Sequence, residues 1–166
     1  MVFAAQQLRI DKHFSPLAIL GSEVPFPFNP RPSRILTPGI PDGVIGCMPL
    51  LDDWGIPSRL TSLKDVAGCY QGFVTDLARY WLNALDHEGR GQVEILTCGP
   101  HPMLEAVSAL ALEFNLPCQV SLEEFMACGV GGCAGCVVPV QTGNTGQAMK
   151  RVCVDGPVFD ARQVFF

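Results

Sequence analysis

Residues 93–104 read VEILTCGPHPML, and this junction sets the fold class. VEILTCG (93–99) predicts a buried strand, which Pro100 follows. Pro102 stands where proline suits the first turn of a helix, because the N–H it lacks would have no partner there. Downstream, Met103, Leu104, Val107, Leu110, Ala111 and Phe114 recur at helical spacing and predict one buried stripe, ended by Asn115 to Pro117. CQVSLEEF (118–125) predicts a last short strand. Upstream, GRGQ (89–92) predicts a turn, and Val74, Leu77, Ala78, Trp81, Leu82 and Leu85 predict the apolar face of another helix. SRLTSLKD (58–65) and LAILGSE (17–23) predict two more strands, the second buried and closed by Gly21. Strand and helix alternate, so the expected class is α/β with a mainly parallel sheet.

One segment breaks the alternation. Pro25 to Pro57 hold eight of the fourteen prolines, a density through which neither a helix nor a central strand persists. The expectation is a long irregular segment over 25–57 whose Phe, Ile and Trp content argues for order against a partner or cofactor.

The second decisive stretch is ACGVGGCAGCVVPV (127–140) with KRVCVDG (150–156). Cys128, Cys133, Cys136 and Cys153 stand as C-x4-C-x2-C with a fourth cysteine sixteen residues on, the plant-type [2Fe-2S] ligand spacing. Four thiolates suit two tetrahedral irons. Gly129, Gly131, Gly132 and Gly135 are expected to let the loop curl closely around a bulky group. Three alternatives stay open on spacing alone. A structural zinc site shows two close pairs where this chain has one, Cys133 and Cys136. A redox-active CxxC opens a helix after a strand, unlike this glycine-rich loop. Disulfides need an oxidising compartment, and MVFAAQQLRIDKHF has charge where a secretory signal needs an apolar core. Cys47, Cys69, Cys98 and Cys118 are scattered and read as buried free thiols.

Composition excludes some classes. The 166 residues are 48% hydrophobic and 16% charged with net charge -5, so no basic stripe exists for nucleic acid. No apolar run is long enough to span a bilayer. Cysteine usage without a signal points to a reducing, cytoplasmic setting. His13, His87 and His101 read as structural or solvated, with His101 alone near the TCGP corner. Glu123 and Glu124 read as solvated carboxylates.

TCGPHPML resembles the nicotinamide-binding domain of the ferredoxin-reductase family. Taken with MPLLDDWGIPSRL, GFVTDLARYW, SLEEFMACGVGGCAGCVV and KRVCVDGPVF in this order, the chain from about residue 17 resembles the electron-transfer subunits of class 1B dihydroorotate dehydrogenases. The resemblance implies that Cys128, Cys133, Cys136 and Cys153 bind a [2Fe-2S] cluster. It puts Cys98, Gly99, Pro100 and Met103 on the nicotinamide side of a site for NAD. Independently, ligands of open α/β sheets bind at the carboxyl ends of strands, although a plain strand-to-helix turn with a buried thiol explains the same residues. The resemblance further implies FAD in an N-terminal β-barrel and an FMN-containing catalytic subunit as partner, in a complex of pyrimidine biosynthesis. The cluster would relay single electrons between the two flavins, with no acid, base or nucleophile from this subunit.

The family pattern also has a flavin barrel, a first strand and a glycine-rich phosphate loop, which are not found before residue 17. The expected fold is therefore a partial ferredoxin-reductase-type domain over 1–120 and a cluster-binding lobe over 121–166. FAD is not expected to bind the chain alone, and NAD binding is expected to suffer from the missing loop. The alternatives are a split subunit whose barrel lies on another chain, a truncated product, or a stand-alone cluster carrier. Other functions consistent with the same residues are a sulfhydrogenase-like reductase subunit and a zinc-bound assembly module without redox activity.

Overall fold

A computed structural model describes residues 2–11, 13–143 and 146–165. Packing divides the chain into two units, Met1–Arg90 and Gly91–Phe166.

In the first unit, helix α1 (Val2–Leu8) precedes strand β1 (Ala18–Gly21). The proline-rich segment then carries β2 (Arg31–Pro32), β3 (Gly46–Cys47) and helix α2 (Pro49–Asp53), followed by β4 (Ser58–Ser62), β5 (Tyr70–Gln71), α3 (Val74–Ala84) and the short α4 (His87–Gly91). Strands order β1-β4-β5, and both pairings are parallel. Central β4 is the most polar of the candidate strands in sequence, yet all five of its residues are buried. Most of its polar groups find partners: Ser58 Oγ accepts from the Met48 N–H at 3.0 Å, and Arg59 donates through Nη1 and Nη2 to the Ser58 and Ile35 carbonyls at 2.7 and 2.8 Å, while Arg59 Nε is left unpaired. Matching of this kind lets a polar strand take a central place. Strand β1 is half-buried rather than buried, because it forms an edge of this sheet. Helix α3 follows the expected period, with Leu77 and Leu82 fully covered. Its N-terminus is tied by Asp76, which accepts from the Phe73 N–H at 3.0 Å.

Two expectations for this unit are corrected. Residues 89–91 of GRGQ, expected as a turn, belong to the helical turn α4 (His87–Gly91), with Asp86 accepting from the Gly89 N–H at 2.8 Å. The segment 25–57 does contain a helix, since Pro49 sits at its start, where proline is tolerated. This segment is held by charge. Arg31 and Arg34 both reach Asp52 and Asp53, and Ser33 Oγ donates to Asp52 at 2.9 Å.

The second unit begins with β6 (Ile95–Cys98), α5 (His101–Glu113) and β7 (Cys118–Ser121), a parallel strand–helix–strand. Helix α5 ends in a Schellman motif. Asn115 takes φ +52°, its N–H donates to the Leu112 carbonyl, and the Leu116 N–H donates to Ala111 at 2.8 Å. Leu104, Val107, Leu110 and Ala111 form the buried stripe with Ser108, while Met103 and Phe114 at its ends are half-buried. Strand β6, expected as buried, is half-buried with Thr97 alone covered, because it too lies at a sheet edge.

The chain continues through an irregular loop into an antiparallel hairpin, β8 (Val137–Thr142) and β9 (Gly146–Arg151), then α6 (Val152–Asp155), β10 (Val158–Asp160) and α7 (Ala161–Val164). Strand β10 returns to pair antiparallel with β7. That return explains why packing keeps the strand–helix–strand and the cysteine-bearing segment in one unit, whereas the division expected at residue 120 followed cysteine content. Among the described residues no helix is long and apolar enough to cross a membrane.

Candidate cluster site and strand-end corner

The loop between β7 and β8 carries three of the four candidate ligands, and α6 carries the fourth. Residues 123 to 130 are all exposed, Glu123 and Glu124 among them. Cys128 and Cys133 are exposed, Cys153 is half-buried and Cys136 is buried. The sulfurs are arranged as two pairs. Cys128 is in side-chain contact with Cys133, and Cys136 with Cys153. Among the described residues, no three His, Cys, Asp or Glu side chains gather as a single-ion site. Two pairs match two bridged irons, each taking two thiolates, better than one ion in a four-thiolate cage.

Backbone amides point at these sulfurs. The N–H groups of Val130, Cys133 and Gly132 donate to Cys128, and with the Cys133 side chain they hold its thiol down to about 6. The Cys153 N–H donates to Cys136 Sγ at 3.4 Å and, with the Cys153 side chain, lowers the Cys136 thiol. Cys153 is raised, first by its contact with Cys136 and then by burial. The Gly135 N–H donates to Cys133 Sγ at 3.4 Å. Donors aimed at sulfur favour thiolate, the form that ligates metal. The donor set and its amides therefore fit an iron-sulfur cluster.

Loop curvature differs from expectation in detail. Gly129 and Gly131 have positive φ, whereas Gly132 and Gly135 do not, and Ala134 takes φ +53° in their place. At Gly131 a Cβ would stand 3.1 Å from Val154 Cγ2 and 3.4 Å from Arg151 Nη1. The glycine thus permits close approach of the loop to α6. Arg151 and Asp155 were missed by the sequence reading: Arg151 Nη1 donates to the Gly131 carbonyl at 3.1 Å, and Asp155 accepts from the Arg151 N–H and Nε. A basic residue two positions before Cys153 was the available signal.

At the TCGP corner, Cys98 ends β6, Pro100 caps α5 in extended conformation, and the Met103 and Leu104 N–H groups donate to the Pro100 carbonyl at 2.9 and 3.1 Å. Cys98 and Gly99 are half-buried. Met103 Cε lies 2.5 Å from where a Cβ on Gly99 would stand, so Gly99 and Met103 are brought together. His101 is exposed, its ring edge-on to Phe165 at 5.2 Å. Of the other cysteines, Cys47 and Cys118 are buried as expected, while Cys69 and Cys98 are partly exposed. In the first unit, a crevice of about 280 Å³ lies beyond the carboxyl ends of β1 and β4, lined by Phe26, Phe28, Asn29, Ser62 and Lys64. The sequence reading did not locate it.

An α/β chain with strand–helix corners and a four-cysteine loop of two thiol pairs defines a class: a ferredoxin-reductase-type fold joined to an iron-sulfur segment. Residues 123–165 match the family model described as the iron-sulfur cluster binding domain of dihydroorotate dehydrogenase B. The chain is similar to the electron transfer subunits of dihydroorotate dehydrogenase B (NAD(+)). It is 51% identical over 77 residues to that of Caldanaerobacter subterraneus subsp. tengcongensis, covering 46% of this chain and 31% of the relative. It is 45% identical over 94 residues to that of Listeria welshimeri, covering 57% and 33%. The chain thus spans about a third of the length of these relatives. A chain of the NADH-dependent reduced ferredoxin-NADP oxidoreductase, solved in work on flavin-based electron bifurcation, superposes with a TM-score of 0.54 at 28% identity, covering 72% of this chain and 39% of that one. The expected resemblance, fold class and iron-sulfur cofactor are borne out by these findings.

Proposed function

We propose that this chain carries a [2Fe-2S] cluster on Cys128, Cys133, Cys136 and Cys153 and serves as the one-electron relay of a dihydroorotate-oxidising complex in pyrimidine biosynthesis. The observation that carries this reading is the pairing of Cys128 with Cys133 and Cys136 with Cys153, each pair met by backbone N–H donors. When bound, such a cluster accepts and releases one electron at a time, which suits a station between two-electron carriers. The residues of this chain hold the thiolates, donate hydrogen bonds to them, and shield Cys136 from water.

The partner in this proposal is an FMN-containing catalytic subunit. Support comes from the loop itself, where Phe125 and Val130 are 93% and 78% exposed beside the cysteines. Large apolar side chains so placed mark a docking face. Cys98, Gly99, Pro100 and Met103 are proposed as the nicotinamide side of an NAD site, supported by their place at a strand end and helix start. The aromatic crevice beyond β1 and β4 supports a nucleotide ligand as well. Eight free cysteines favour a reducing compartment, and we place the protein in the cytoplasm.

Co-purification under anaerobic conditions tests the assignment. A flavin-bearing dihydroorotate-oxidising subunit retained by the cluster-loaded chain is the expected result. Retention of a hydrogenase-type subunit would move the chain to the sulfhydrogenase-like alternative, and zinc in place of iron would make it an assembly module.

A further inference from the structure

The crevice beyond the carboxyl ends of β1 and β4 combines two aromatic rings with one cation and a buried hydroxyl. Phe26 and Phe28 stand in its wall with ring centroids 5.3 Å apart and planes inclined at 32°. Lys64 is the one charged residue among those that line it, and it forms no ion pair among the described residues. Ser62 lines it too and is only 5% exposed. Its Oγ accepts from the Lys64 N–H at 3.1 Å, which fixes the backbone of the lysine just past the strand end. No hydrogen bond among the described residues uses the Ser62 hydroxyl proton. A buried donor of this kind is costly unless a ligand or water accepts from it. Glu23 and Asp65, the acidic residues nearest in sequence, are exposed and do not line the crevice.

We propose that Lys64 and Ser62 make this crevice selective for a nucleotide phosphorylated on its ribose 2′-oxygen, as in NADP, over one with a free 2′-hydroxyl, as in NAD. The inference rests on the reading of the crevice as a nucleotide site given above and names the form of nucleotide. At a strand end of an open α/β sheet, a carboxylate accepts from a ribose 2′-hydroxyl, whereas a nearby cation accommodates a 2′-phosphate. Here the cation lines the site and no carboxylate does. A phosphate monoester brings close to two negative charges and three acceptor oxygens at neutral pH. It can therefore accept from the Lys64 ammonium and from the Ser62 hydroxyl together, and hydrogen bonds of this charge-assisted kind are the strong ones. The base has aromatic faces to stack on. A volume of about 280 Å³ suits the nucleoside portion rather than a whole dinucleotide. NAD and NADP differ only at this phosphate, so the residues proposed for the nicotinamide side are unaffected. The relatives reported above carry NAD(+) in their names, and the preference would set this chain apart from them.

Amide NMR titration of the full chain with adenosine 2′-monophosphate and with its isomer adenosine 5′-monophosphate tests the proposal, because the two probes have the same base and the same charge. The 2′ isomer is expected to bind about tenfold tighter, with shifts at the Asn29, Ser62 and Lys64 amides. Lys64→Gln is expected to lower its affinity about tenfold and to leave the 5′ isomer unchanged. Ser62→Ala is expected to lower it about threefold, and Lys64→Arg to keep the preference, since a guanidinium also pairs with phosphate. Phe28→Ala is expected to weaken both isomers alike. The amide spectrum of each variant reports whether it is folded, and if Ser62→Ala is not, Lys64→Gln decides alone. Equal affinity for the two isomers, with shifts in the crevice, would overturn the selection and leave the nucleotide reading standing. A preference for the 2′ isomer that persists in Lys64→Gln would overturn the role of that residue. If neither isomer moves the crevice amides, the nucleotide reading itself falls, and the selection with it.

Discussion

Cys128 and Cys118 show how far local surroundings can separate two residues of one type. Amide donors, first that of Val130, draw the Cys128 thiol down to about 6, whereas burial, aided by the charges of Asp160 and Glu94, pushes Cys118 up to about 11. In cluster-free protein near pH 7, Cys128 is therefore mostly thiolate and Cys118 almost wholly thiol. Iodoacetamide at that pH is expected to modify Cys128 first and leave Cys118 untouched, as read by peptide mass spectrometry; faster labelling of Cys118 would contradict the donor geometry. Cys133→Ser is expected to abolish normal cluster loading, because it removes one of the four thiolates. Full iron, sulfide and visible absorbance in that variant would refute its role as ligand.

At the scale of elements, the proline-rich segment is ordered by one buried carboxylate. Burial pushes Asp52 up, but hydrogen bonds from Arg34, Ser33 and Arg31 outweigh it and hold the group at about 2. A folded-state value below the unfolded one contributes stability that is complete above the unfolded value near 4 and fades as pH falls toward 2. Acid titration followed by Trp54 fluorescence is expected to show loosening of this segment in that window. Asp52→Asn is expected to cost roughly 1–3 kcal/mol and to flatten the acid dependence; an unchanged acid profile would show that the clasp is not what holds the segment. In central strand β4, Leu60 is 0% exposed. Leu60→Ala is expected to cost about 2–5 kcal/mol through the cavity it leaves, measurable by urea unfolding. A cost below about 1 kcal/mol would mean that the neighbours collapse to fill the space.

Across the whole molecule, legibility followed the kind of physics each element depends on. Helices α3 and α5 were legible because their stripes repeat over several turns, and the α5 stop was legible in Asn115 and Pro117. The cysteine loop was legible as a loop because its glycine and cysteine spacing is local. Hairpin β8–β9 escaped the sequence reading, since VVPVQT and GQAMKR lack a clear alternation and pair through backbone hydrogen bonds. The return of β10 to β7 was hidden for a different reason: contacts across some forty residues leave no local signal. The central, buried place of strand β4 was not legible because its partners, Met48 and Ile35, lie in the irregular segment. The contact of Arg151 with Gly131 likewise joins residues twenty positions apart.

Four cysteines in two pairs are proposed to hold one two-iron cluster, which metal and sulfide content together with spin state decide. The chain is purified anaerobically, assayed for iron and acid-labile sulfide, and examined by electron paramagnetic resonance after dithionite reduction. Two irons, two sulfides and a rhombic spin-half signal per chain are the predicted result. Stoichiometric zinc, or a stably folded chain that takes up neither iron nor sulfide on reconstitution, would contradict the account.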